Sequence, residues 1–252
     1  MRVYKIDVAW SSQYNLKGDM ENIFKRMYNN IEQYGERGFL VTVYGWAGGQ
    51  RYATLWSGDQ YGDNDYVKYH IPTITGSSMS GYPYSTSDQG AIFTDNANVY
   101  VRDLQMKLLV PTNYVMNNWG GTRSGVNTAN KRPGADRFTE PEQDINRKYL
   151  KLHMQLAPYL YSYARDAYET GGAIVRPMVY NYQDDPKTYD NSTQYQYMSG
   201  DWLLAAPVYD PNGTSRDDIY LPAGRWVDYW TGEEFYGPAT ISKDAPLDTL
   251  PM

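Results

Sequence analysis

Two aspartates stand where the sequence leaves short apolar runs. Asp7 closes Arg2-Val3-Tyr4-Lys5-Ile6, and Asp59 follows Ala53-Thr54-Leu55-Trp56 through Ser57-Gly58. Aspartate is depleted inside strands and favoured in the turns beyond them. Two carboxylates brought to one mouth are the minimal apparatus of glycoside hydrolysis. One attacks or activates water, and the other protonates the leaving oxygen. An aspartate after a strand also caps the loop or helix that follows, and spacing alone does not separate the two roles.

Other chemistries have little to work with. The chain has no cysteine, so there is no thiol nucleophile, disulfide framework or Cys-rich zinc site. His70 and His153 are its only histidines, too few for a multi-histidine metal centre, and neither accompanies a nucleophile-elbow motif. No EF-hand calcium loop is present, and the reading requires no cofactor. With 23 Lys+Arg against 29 Asp+Glu and no basic cluster, nucleic acid is excluded as the expected partner. No apolar stretch approaches the ~20 residues of a membrane span, and mean hydropathy is −0.69. The opening MRVYKIDVAWSS carries no signal-peptide apolar core. The 27 Tyr and 7 Trp suit sugar recognition, since aromatic faces stack on the C–H faces of sugars, although Tyr also fills strands and half-buried surfaces.

The elements that must hold these residues alternate between strand and helix. Residues 2–8 read as a strand. Ile23, Met27, Ile31 and Tyr34 recur at helical spacing over 20–34, with Gly35 as a stop. Residues 39–44 and 53–56 read as strands, 65–79 as partly helical despite Pro72, and 84–87 as a short strand. Residues 98–110 read as an amphipathic helix closed by Pro111, and 117–140 as a long loop. Tyr149, Leu152, Leu156, Tyr159, Leu160 and Tyr163 stripe one long helix over 144–169, with Pro158 as a kink and Gly171-Gly172 as its end. Residues 173–180 read as a strand. From Trp202 the short runs WLLAAPVY, DIYLP, GRWVDYW and EEFYG, separated by Pro-Asn-Gly and Ala-Gly turns, have β-sandwich texture. The pattern predicts an α/β class, with parallel βα units over 1–195 and an all-β unit over 196–252. On parallel βα folds the chemistry sits at the C-terminal ends of strands.

The motifs together resemble the family 31 glycoside hydrolases, retaining α-glycosidases built on a (β/α)₈ barrel with attached β-domains. Val3-Tyr4-Lys5-Ile6-Asp7 resembles the fourth-strand motif that ends in the nucleophile. Gln50-Arg51-Tyr52 through Trp56-Ser57-Gly58-Asp59 resembles the acid/base motif, and Ser80-Gly81 with Ser87-Asp88 the segment around strand 7. Val99-Tyr100-Val101-Arg102 with Gln105 and Pro111, Ala157-Pro158-Tyr159-Leu160-Tyr161, and Glu169-Thr170-Gly171 with Arg176-Pro177-Met178 follow in the family's order. Gly200-Asp201, Leu203-Leu204-Ala205-Ala206-Pro207-Val208 and Leu221-Pro222-Ala223-Gly224-Arg225-Trp226 resemble the start of the C-terminal β-domain.

The resemblance implies a barrel from about its fourth to its eighth strand, followed by the beginning of a β-sandwich. On that reading the chain is a fragment. It has an open sheet edge and needs the missing N-terminal half of the barrel to be complete and active. Asp7 is the implied nucleophile and Asp59 the implied general acid and then base. The carboxyls lie roughly 5–5.5 Å apart in retaining enzymes, and the acid's pKa is expected to be raised by its neighbour and by partial burial. Lys5 either stabilises the charge of Asp7 or makes a salt bridge within the barrel. Trp46 and Trp56 wall the sugar subsite or fill core. Arg51, Asp88, Asn118 and Trp119 complete the implied substrate-binding set for an oligosaccharide or glycoconjugate.

Three departures bear on the substrate. Glucose- and xylose-specific relatives carry an arginine after strand 5 and an Arg-x-His motif after the helix holding Arg102. Here those places read Val43-Tyr44-Gly45-Trp46 and Tyr114-Val115-Met116-Asn117-Asn118-Trp119-Gly120. Asp88-Gln89-Gly90-Ala91-Ile92-Phe93 replaces the usual Asp-(Ile/Val)-Gly-Gly-Phe. Losing such donors leaves glucose hydroxyls unpaired, about 1–3 kcal/mol each. The pattern looks most like the branch acting on α-N-acetylgalactosaminides. An α-galactosidase, an α-glucosidase or an α-glucosyltransferase of the same family, and a non-catalytic sugar-binding chain, are the alternatives.

Overall fold

The computed structural model describes residues 2–6, 20–45, 47–90, 96–113 and 140–252. Four strands form a parallel sheet in the order β1-β2-β3-β4: Arg2–Ile6, Gly38–Thr42, Ala53–Trp56 and Ser85–Thr86. The register is continuous across it, with Ile6 beside Thr42, Thr42 beside Leu55, and Trp56 beside Thr86. The C-terminal ends of the strands therefore share one rim. Helix α1 (Met20–Gln33) connects β1 to β2, and α2 (Tyr66–Met79) connects β3 to β4.

Helix α1 buries Phe24 and Ile31 against Leu40 and Ala53, with Ile23 and Met27 partly buried beside them. Tyr34, expected in the stripe, is exposed, because the helix stops at Gln33. Helix α3 spans Ala97–Met106 and is shorter than the 98–110 pattern. Its apolar continuation, Leu108-Leu109-Val110, is buried in tight turns closed by Leu108 N–H to the Gln105 carbonyl and Val110 N–H to that of Lys107.

The long helical pattern after residue 140 is two helices, α4 (Glu142–Gln155) and α5 (Ala157–Thr170). Leu156 closes the first and caps the second. Pro158 falls in the first turn of α5, where its missing N–H costs nothing, so it starts a helix rather than kinking one. Tyr149, Leu152, Leu160 and Tyr163 are buried as the stripe predicts. Helices α2, α3 and α4 share the main core, together with Tyr197 and Leu250.

Only Val175–Arg176 (β5) of the 173–180 run is strand. Pro177, lacking an N–H, ends it and precedes the short helix α6 (Met178–Asn181). Strand β5 pairs antiparallel with β6 (Tyr197–Ser199), which pairs with β7 (Leu203–Ala205). The run DIYLP and the first four residues of GRWVDYW fall in one long strand, β8 (Ser215–Val227), hairpinned to β9 (Glu234–Asp244). Register shifts between Arg216 and Ile219 and between Leu221 and Gly224 are bulges, so Ala223-Gly224 bends a strand instead of ending it. Among the described residues no helix is long and apolar enough to cross a membrane.

Candidate active site

The shared rim is where β3 and β4 deliver their functional residues. Strand β3 is only four residues long, but its pairing with β4 continues one step further through Ser57 N–H to the Thr86 carbonyl at 3.1 Å. The Gln60 side chain then donates to the Ser57 carbonyl at 3.0 Å. Gly58 adopts φ +92°, a left-handed turn that a side chain would strain. Asp59 emerges from this turn exposed, with no hydrogen-bond or ion-pair partner among the described residues.

Behind this turn, His70 of α2 lies fully buried, its Nε2 2.9 Å from the Ser57 hydroxyl and its Nδ1 2.7 Å from the Tyr66 carbonyl. Burial, reinforced by the charge of Lys107, lowers its pKa to about 3. The imidazole is neutral, and a carbonyl can only accept, so Nδ1 carries the proton and the Ser57 hydroxyl donates to Nε2.

The β4 end is held from two helices. Asp88 is buried, and its backbone carbonyl accepts from the Tyr66 hydroxyl and from Lys107 Nζ at 2.9 Å. Lys107 spends its other two donors on the Ser87 carbonyl at 3.0 Å and on Asp103 Oδ2 at 2.7 Å. Asp103 also accepts from Gly90 N–H at 2.7 Å, and Gln89 donates to the Tyr100 carbonyl. Gly90 adopts φ +67° and packs so closely that a Cβ would lie 2.5 Å from the Tyr100 ring. Lys107 and Asp103 are both wholly buried. Burial pushes the Asp103 carboxyl up and the Lys107 ammonium down, while their mutual contact opposes both shifts.

Lys5 on β1 places its ammonium 3.6 Å from the Trp56 ring centroid, a cation–π contact across the sheet face. Trp56 is 2% exposed, so it packs as core beneath Lys5. Arg51 ends a 3₁₀ turn (Gly49–Arg51) just ahead of β3. Ala53 lies level with Leu40, so Arg51 sits toward the N-terminal rim, away from Asp59. The structure thus brings Lys5 to Trp56 and sets Asp59 and Asp88 on neighbouring strand ends. Asp7, which follows Ile6 in the chain, lies outside the described residues, as do Trp46, Asn118 and Trp119. The sequence reading did not assign roles to His70, Tyr66, Asp103 or Lys107. The available signal was pairs of polar side chains at i, i+4 spacing, Tyr66 with His70 and Asp103 with Lys107.

The profile of the glycosyl hydrolases family 31 TIM-barrel domain matches residues 7–163, and that of the glycosyl hydrolase family 31 C-terminal domain matches 171–252. The chain belongs to glycosyl hydrolase family 31. Strands β2–β4 and helices α1–α4 fall within the barrel-domain match, and helix α6 and the antiparallel strands β5–β9 within the C-terminal-domain match. Among family 31 relatives, α-glucosidase 2 of Bacillus thermoamyloliquefaciens is 34% identical over 218 residues, 86% of this chain and 26% of the relative. The α-xylosidase of Saccharolobus solfataricus is 34% identical over 225 residues, 86% of this chain and 29% of the relative. The chain thus spans less than a third of either relative's length. Among solved structures, the Flavobacterium johnsoniae GH31 dextranase complexed with glucose superposes with a TM-score of 0.75 at 29% identity, covering 89% of this chain and 28% of that one. The Listeria monocytogenes cycloalternan-forming enzyme gives 0.80 at 28% identity, covering 92% and 22%.

Proposed function

We propose that the protein is a retaining, exo-acting α-glycosidase with Asp7 as nucleophile and Asp59 as general acid and base. The observation that carries this is the register: Ile6, Thr42 and Leu55 lie level on one rim of a family 31 barrel sheet. Asp7 is the next residue after Ile6, and Asp59 leaves the same rim two strands away. Second-neighbour strands are about 10 Å apart, and retaining chemistry uses carboxyls roughly 5–5.5 Å apart.

In the first step the Asp7 carboxylate attacks the anomeric carbon while Asp59 gives its proton to the glycosidic oxygen. The C–O bond breaks, the aglycone leaves and an inverted glycosyl ester forms. In the second step the Asp59 carboxylate takes a proton from water, whose oxygen displaces Asp7 and restores the α configuration. In the intact protein, Asp7→Asn and Asp59→Asn each abolish turnover of an activated aryl α-glycoside. Near-normal rates in both variants would remove the mechanism.

For the sugar, the reading is an α-N-acetylgalactosaminide in preference to an α-glucoside. It rests on the residues at 43–46, 88–93 and 114–120, which lack the basic groups expected of glucose- and xylose-specific sites. The relatives favour a second reading, since they include enzymes named α-glucosidase, α-xylosidase and 1,6-alpha-glucosyltransferase. A transferase would use the same two aspartates with a sugar hydroxyl in place of water. A panel of aryl α-glycosides of N-acetylgalactosamine, galactose, glucose and xylose separates these readings. Preference for glucose over N-acetylgalactosamine would overturn the first.

A further inference from the structure

We infer that His70, acting through Ser57, is a positioning residue for Asp59. The inference rests on the assignment of Asp59 as the acid/base and adds the device that aims it. Only Gly58 separates Ser57 from Asp59, and it is in a left-handed turn with no side chain to fix it. The direction in which Asp59 leaves the rim is therefore set by how firmly Ser57 is held. Ser57 is held at three points: its N–H on Thr86, its carbonyl by Gln60, and its hydroxyl on His70. The first two are strand-end and local contacts. The third is the only one of the three that ties the turn to α2.

The His70 ring is fixed in turn. Its Nδ1–H is spent on the Tyr66 carbonyl one helical turn earlier. Its ring lies against Tyr66 at 4.3 Å between centroids and against the edge of Tyr69 at 5.1 Å. A buried imidazole so oriented has one lone pair left, and that lone pair receives the Ser57 hydroxyl. Tyr66 also donates to the Asp88 carbonyl, so one turn of α2 holds the ends of both β3 and β4. Among the described residues the His70 ring nitrogens bond Ser57 and Tyr66 and not Asp59, and the ring is neutral at neutral pH. Its contribution is orientation, and loosening it displaces Asp59 without changing which groups are present.

The test uses the intact protein and two aryl α-glycosides of the sugar turned over fastest in the panel, a phenyl and a 2,4-dinitrophenyl glycoside. Phenoxide needs a proton as it leaves and dinitrophenoxide does not, so a misaimed general acid slows only the first. Ser57→Ala and His70→Leu are each expected to lower kcat/KM for the phenyl glycoside on the order of 10²-fold, with less than about a threefold change for the dinitrophenyl one. Ser57→Thr, which keeps the hydroxyl, restores the parent ratio. If His70→Leu does not fold, Ser57→Ala carries the test alone. Equal losses on both substrates, or no loss on either, would overturn the inference. Asp59→Ala is run alongside. If it slows both substrates equally, the acid/base assignment itself fails. If it spares the dinitrophenyl glycoside while Ser57→Ala does not, only the role of His70 and Ser57 fails.

Discussion

Arg102 fastens helix α3 to the segment that follows β9, and replacing it tests that packing directly. The residue is 1% exposed. Its Nη1 donates to Gln105 Oε1 at 3.0 Å and to the carbonyls of Pro246 at 3.2 Å and Thr249 at 3.0 Å. Its Nη2 donates to the carbonyls of Gly213 and Ala245, both at 2.8 Å. Burial lowers its pKa to about 10, so it stays charged at neutral pH. Arg102→Met fills a similar volume but leaves four carbonyls without this donor, at about 1–3 kcal/mol each if none finds another partner. The guanidinium's own desolvation is relieved at the same time, so the net loss is about 3–5 kcal/mol, as for breaking other buried charge networks. At about 2–4 °C per kcal/mol for a chain this long, Tm falls by roughly 10 °C. Arg102→Lys, with one nitrogen and three donors, cannot span the same carbonyls and recovers about half of that loss. Calorimetry reads the Tm. Hydrogen exchange reads the location, because the Ala245 and Leu250 amides, bonded to the Thr214 carbonyl and the Tyr149 hydroxyl, should exchange faster. A Met variant melting within about 2 °C of the parent, with unchanged exchange at 245–250, would refute the reasoning.

Lys107→Met strands the Asp103 carboxylate in the core with Gly90 N–H, and a loss of about 3–5 kcal/mol in urea unfolding is expected. Adding Asp103→Leu should recover part of that loss, and a double variant no more stable than the single would contradict the pairing. Gly90→Ala forces a methyl against Tyr100 in a left-handed turn and should cost about 2–4 kcal/mol, whereas an unchanged unfolding midpoint would count against that close approach. His70 also gives stability a pH slope. Its pKa is about 3 when folded and 6.5 when unfolded, so the unfolded chain binds the extra proton, and stability is full above 6.5 and falls as pH drops toward about 3. The expected loss is about 1.4 kcal/mol per pH unit in that window, or about 2 kcal/mol by roughly pH 5. His70→Leu should remove this component, and an unchanged slope in the variant would sink it.

The parallel alternation and the place of Asp59 just beyond a strand were legible because both rest on local signals: periodicity, β-branched runs and Gly stops. Errors came where a local signal has two structural outcomes. Proline can kink a helix or open one, and at Pro158 it opens α5. Ala-Gly can turn the chain or bulge a strand, and at Ala223-Gly224 it bulges β8, because Leu221 and Gly224 remain paired across it with Ala239 and Gly237. Arg51 belongs to the motif around Asp59 yet sits toward the other end of β3, since a four-residue strand separates them. Trp56 reads equally as a subsite wall or as core until the packing shows Lys5 over its ring. The second ring of polar residues was least legible. Its members are buried polar side chains whose partners include strand-end groups such as the Ser57 hydroxyl, the Ser87 and Asp88 carbonyls and Gly90 N–H, pairings that sequence does not mark.

That second ring has a cause in the lengths of the strands. Strand β4 has two residues and β3 has four, so the ladder ends before the chain reaches Asp59 or Asp88. Carbonyls past a ladder's end still need donors when buried. Here the adjoining helices supply them: Tyr66 and Lys107 for Asp88, Lys107 for Ser87, and His70 as acceptor for the Ser57 hydroxyl. Longer strands would satisfy these groups by backbone pairing, but they would also continue the pleat and fix where residues 57–59 and 87–90 point. Ending the ladder early releases the backbone to turn at Gly58 and Gly90. The helix side chains then hold the turned conformation, and buried ionic and imidazole groups persist behind the rim although an apolar core would be simpler to pack.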